Sequence, residues 1–163
     1  MVRTAIRGFL GLAAVVGTLC AVPFAQADDK APGKPLASRD LDVEGIVAEV
    51  IESVRKDGVL TVRVRLRNTG QKAQKVLLVR GGESYAAAYL SAKDTKYTLI
   101  TDTSQRAVAT PADGGGWVEP SIKPKASWNW WGKFPAPPPE VKSYTLYLKV
   151  GPPIEDVPII DKK

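Results

Sequence analysis

Between Val59 and Arg67 the chain alternates without a break. Leu60, Val62, Val64 and Leu66 take one set of positions, and Thr61, Arg63, Arg65 and Arg67 take the other. Successive side chains of an extended chain point to opposite sides, so this run predicts a strand with one buried face and one wet face. A helix would scatter the four aliphatic residues around its axis. The run follows Asp57-Gly58, a pair favoured in two-residue hairpin turns, and ends at Asn68-Thr69-Gly70, which carries turn chemistry. A hairpin opened in this way commits its neighbours to a sheet.

The rest of the chain fits that commitment. Glu44 to Ser53 reads as a strand or a short helix, because Val47 and Ile51 interrupt the alternation of Ile46, Ala48 and Val50; the hairpin turn favours the strand. Short strands are predicted over Val76–Arg80, Tyr85–Leu90 and Lys96–Thr101, with turns at Ala92-Lys93-Asp94 and at Asp102-Thr103-Ser104-Gln105, the latter capped by Asp102. The glycine-rich stretch 110–116 reads as a loop. An aromatic strand over Ser127–Phe134 follows, in which Gly132 is a place for the strand to bend away. Then come a polyproline-like connection at 134–139, an alternating strand at Tyr144–Val150, and a proline-bearing edge segment at Ile154–Ile160. Thirteen prolines and fourteen glycines suit many short strands joined by sharp turns. The expected fold is all-β: an immunoglobulin-like antiparallel sandwich of about seven to eight strands. It spans residues 43–161, after a polar, flexible leader at 28–42.

The first 27 residues read as a cleaved signal peptide. Arg3 and Arg7 precede an apolar stretch from Phe9 to Val22, Pro23 breaks it, and Ala25-Gln26-Ala27 forms an A-x-A cleavage site before charged Asp28-Asp29-Lys30. An uncleaved anchor and a lipoprotein acylated on Cys20 are the alternatives. The apolar run is short for a bilayer, and Leu19 is a poor residue before a lipidated cysteine. A periplasmic or extracellular location follows, with no stable membrane span after cleavage. The chain carries 23 Lys and Arg against 17 Asp and Glu; losing Arg3 and Arg7 lowers its net charge from +6 to +4.

Four stretches, VRVRLRN (62–68), KYTLITD (96–102), WGKFPAPP (131–138) and IEDVPI (154–159), resemble segments of a group of bacterial exported immunoglobulin-like domains. Those domains occur alone or beside peptidoglycan-associated outer-membrane modules, and many have no known function. The similarity covers about residues 43 to 160 and implies an envelope role; none of its motifs is catalytic.

The composition argues against an enzyme. The chain has no histidine, and the processed part has no cysteine or methionine. That removes Ser-His-Asp and Cys-His chemistry, histidine-ligated zinc and the usual copper ligands. Glu155-Asp156 is the one close acidic pair in the ordered part, and strand alternation would point the two carboxylates apart, as exposed edge charges. No cofactor and no metal are expected.

Two features are candidates for binding. Arg63, Arg65 and Arg67 would emerge from one face of one strand, and Lys72, Lys75 or Arg80 nearby would make that face able to meet phosphate, anionic glycan or an acidic protein. The plainer reading is a solvated strand face; if the row is instead a binding surface, replacing all three arginines with glutamine should abolish binding to an anionic partner while the domain keeps its stability. The second feature is the tryptophan cluster Trp128, Trp130 and Trp131, with Trp117. Alternation puts Trp128 and Trp130 toward a core and leaves Trp131 on the opposite face, the better candidate for contact with a partner. The expected function is a non-enzymatic binding or accessory domain acting on an unknown protein or cell-envelope component, with anionic partners suggested by the arginines. The alternative is a carbohydrate-binding module using exposed tryptophans. Nucleic acid is a poor partner, since the chain is exported and no aromatic residue interleaves with the arginines.

Overall fold

The structure, a computed structural model, describes residues 34–80, 87–114 and 116–162. The expected signal peptide and Cys20 lie outside the described residues. Strands β1 (Ala37–Asp40), β2 (Ile46–Lys56), β3 (Val59–Asn68) and β8 (Ser127–Pro135) form one sheet in that order, and β11 (Ile160–Asp161) runs parallel to the far end of β2. A second sheet has the order β10 (Ile154–Pro158), β9 (Ser143–Tyr147), β5 (Tyr89–Ala92), β6 (Thr95–Thr98). Between them in sequence, β4 (Gln74–Lys75) and β7 (Ser121–Ile122) pair as a short ribbon.

The fold is an all-β sandwich. The segment around Ala107–Thr110 bonds to the free edge of β8 through a bridge from Ala109 to Gly132 and through the amide of Thr110 on the Trp131 carbonyl. With that segment counted, the sheets read β2, β3, β8, 107–110 and β10, β9, β5, β6. This is the A-B-E-D and G-F-C-C′ arrangement of immunoglobulin-like sandwiches, with β1 and β11 added at one edge.

The β2–β3 hairpin turns on Asp57 and Gly58, both left-handed (φ 50° and 76°), as a two-residue turn matched to strand twist requires. Lys93 and Asp94, at φ 45° and 61°, do the same between β5 and β6. From β3, Leu60, Val62, Val64 and Leu66 are fully buried. They meet Leu90, Leu146, Ile154 and Val157 from the second sheet in one core that also contains Trp130 and Phe134. Fully burying a side chain of this kind contributes about 1.5–3 kcal/mol, so these rows hold the sheets together.

Several expectations are corrected. Part of the supposed leader is strand: Ala37–Asp40 pairs with Val47–Val50, and Leu41 is buried. The ambiguous segment Glu44–Ser53 is strand from Ile46 onward, running on to Lys56 after a turn at Glu44-Gly45, and a bulge explains its pattern. Val50 pairs with Val64 but Glu52 pairs with Arg63, leaving Ile51 extra. Inward positions therefore switch from Ile46, Ala48 and Val50 to Ser53 and Arg55. Gly132 does not bend β8 away. It lies in register with Val62, and an added Cβ would come within 2.8 Å of the Trp130 ring and 2.6 Å of Leu99. The glycine makes room for the indole. The carboxylates of Glu155 and Asp156 are both exposed, because β10 bulges there and Asp156 is left-handed (φ 53°).

Candidate functional site on the arginine face

Pairing of β3 with β8 brings the two sequence candidates onto one surface. Arg63 stands opposite Trp131, Arg65 opposite Asn129 and Arg67 opposite Ser127, all on the outer side of the first sheet. Trp130, from the same strand, is buried in the core, and Trp128 is half-buried against it. Trp131 is half-buried on the outer face. Its strand is held on the far side by Thr110, whose hydroxyl accepts a bond from the Trp131 amide at 2.8 Å.

The arginines are not bare. On the other flank of β3, β2 supplies carboxylates in register: Glu52 opposite Arg63 and Glu49 opposite Arg65. Arg63 Nε lies 3.3 Å from Glu52 Oε2. Arg65 donates from Nε to Glu49 Oε2 at 2.7 Å, while Arg67 donates from Nε and Nη2 to Glu49 Oε1 at 3.0 and 2.8 Å. Glu49 is nearly out of water, and its side chain would be costly there without both guanidinium groups. Arg65 is mostly covered as well, whereas Arg63 and Arg67 keep 48% and 45% of their side-chain surface. The row therefore divides by role. Arg65 and Arg67 together neutralise Glu49, while Arg63, paired with Glu52, and Arg67 remain half-exposed as oriented cations.

Two structural polar residues went unread in the sequence. Arg55, two residues before the Asp57-Gly58 turn, is buried. It donates to the carbonyls of Pro137, Pro138, Pro139 and Val141 and makes a two-point bond with Asp161 at 2.6 and 3.1 Å. It thus fastens the polyproline connection and β11 to β2. Asn68 is also fully buried, donating to the carbonyls of Lys72 and Ile122 and accepting from the Gly70 amide. Glu52 was open to discovery from sequence: counting back from the two-residue turn puts it opposite Arg63. Glu49 was not, because the bulge at Ile51 shifts every pairing beyond it by one.

No protein-family model, no curated protein and no solved structure matches the chain. Among the described residues, no three His, Cys, Asp or Glu side chains come together in a group suited to a metal ion, and no helix is long and apolar enough to cross a membrane.

The outer side of the second sheet offers a different surface, a stacked tyrosine pair. The rings of Tyr89 and Tyr147 lie 4.5 Å apart and within 9° of parallel, and Lys96 Nζ sits 3.9 Å from the Tyr89 ring centre. Tyr89 thus has one face against Tyr147 and an ammonium over its ring. That arrangement favours cross-strand stabilisation over capture of a ligand.

Proposed function

We infer that this protein is a non-enzymatic binding domain of the periplasm or cell exterior that engages an anionic partner through the outer face of its first sheet. The observation that carries this reading is the juxtaposition of Arg63, Arg67 and Trp131 on one sheet face, with Glu52 and Glu49 of β2 orienting the guanidinium groups on that same face. Oriented guanidinium groups recognise carboxylate and phosphate oxygens better than mobile cations do, since less freedom is lost on binding. Export is supported by the n-region, apolar stretch and A-x-A site of residues 1–27. The tryptophan platform is the weaker alternative, because Trp130 and Trp128 face the core and leave Trp131 alone on the outer face.

The test compares wild type with the double variant Arg63→Gln/Arg67→Gln on a panel of anionic probes: polygalacturonate, polyglutamate and vesicles containing phosphatidylglycerol. At least one probe is expected to bind wild type in a salt-sensitive way and to bind the variant more weakly. Equal binding by both proteins across the whole panel would refute the reading.

A further inference from the structure

Along the chain, further cations follow Arg67. Directly after it, the buried Asn68 side chain bonds the Lys72 and Ile122 carbonyls at 2.8 and 2.9 Å, and the Asn68 amide bonds the Ala126 carbonyl at 2.9 Å. One side chain thus folds the segment after β3 against the segment before β8. Those two segments carry Lys72, Lys75, Lys123 and Lys125, all exposed, with Lys75 opposite Ser121 in the ribbon. Lys125 donates to the Thr69 carbonyl, and Lys72, Lys75 and Lys123 form no ion pair among the described residues. The neighbouring acids along the chain, Glu44 and Glu119, leave the excess positive.

We propose that the occupant of this surface is an acidic polysaccharide, and that its site runs from Trp131 and Arg63 past Arg67 onto the lysines gathered around Asn68. The proposal rests on the reading of the face as an anion-binding surface. From Arg63 to Arg67 a strand advances about 13 Å, and the lysines lengthen the track further, more than one small anion spans. Between the cations the face offers Asn129 and Ser127, uncharged hydrogen-bonding side chains in register with Arg65 and Arg67, and Trp131 in register with Arg63. One aromatic ring, one amide and one hydroxyl set beside the cations match sugar rings whose carboxylates are spaced by neutral groups. Asp40 and Glu52 stay on the same face, where a uniformly anionic bilayer pressed flat would meet like charge, while spaced charges on a sugar chain avoid it.

The test titrates the purified protein with polygalacturonate, with galacturonate fragments of two or three sugars, with polyglutamate and with phosphatidylglycerol vesicles. Three variants accompany wild type: Arg63→Gln/Arg67→Gln, Lys72→Gln/Lys75→Gln/Lys123→Gln, and Trp131→Ala. Polygalacturonate is expected to bind most tightly. The arginine and lysine variants should each weaken it by about three- to tenfold, as the loss of two or three exposed charge contacts implies. Trp131→Ala should weaken polygalacturonate but leave polyglutamate unchanged, and the short fragments should be indifferent to the lysine variant. Unchanged polygalacturonate binding by the lysine variant would overturn the extended site. Preference for polyglutamate or vesicles would overturn the sugar assignment, with anion binding by the face still standing if the arginine variant is weakened. Binding that ignores the arginines for every probe would sink both.

Discussion

Glu49 accepts two arginines while nearly out of water, so the charge balance of the outer face is tied to the stability of the fold. Burial alone would raise its pKa; hydrogen bonds from Arg67 and Arg65, together with their charges, more than offset that and hold the carboxyl below its ordinary range. A carboxyl depressed in the folded state contributes stability that is present above its unfolded pKa, about 4.3, and is lost as pH falls through the lower folded value. Glu49→Gln is therefore expected to flatten the fall in melting temperature below about pH 4. An acid limb identical to wild type would contradict this role. Arg63 and Arg65 should also differ in their effect on stability. Arg63→Gln, at an exposed position, should change stability by no more than about 0.5 kcal/mol. Arg65→Gln strips Glu49 of a charged hydrogen bond and should cost about 1–3 kcal/mol in urea denaturation. Replacing all three arginines is consequently not silent, contrary to what the sequence pattern alone suggests.

At the scale of elements, β3 was legible because nothing disturbs its period of two, and its hairpin turn announces itself as Asp57-Gly58. The same period applied to β8 placed Trp130 inward and Trp131 outward, as observed. What sequence could not supply was any feature depending on a partner strand. The bulge in β2 hides Glu49 behind an irregular pattern. β1 is polar because three of its four residues are exposed at a sheet edge. The Arg55 clamp joins residues more than eighty positions apart. Mutants of β8 test this strand directly. Trp130→Ala is expected to cost about 3–5 kcal/mol and Trp131→Ala much less, since only the first empties a core site. Gly132→Ala is expected to cost about 1–3 kcal/mol, because the new methyl group meets the Trp130 ring and Leu99. A neutral Gly132→Ala together with a costly Trp131→Ala would mean that the strand faces are reversed.

At the scale of the whole molecule, the two sheets are joined by aliphatic rows, while Arg55 ties the polyproline connection and β11 to β2 and Asn68 ties the segments around Lys72 and Ile122 to the end of β3. If the proposed export and cleavage hold, the processed chain has no cysteine for a disulfide and relies on these contacts alone. The exported form is expected to begin at Asp28, which intact-mass measurement of extracytoplasmic material would establish; a lipidated species starting at Cys20 would overturn that processing. Amide chemical-shift mapping with polygalacturonate would locate the ligand on the outer face of the first sheet. The largest shifts are expected at Arg63–Arg67 and Ser127–Trp131, extending to Lys72 and Lys123. Shifts confined to the Tyr89–Tyr147 side of the second sheet, or none anywhere at saturating polymer, would contradict that location.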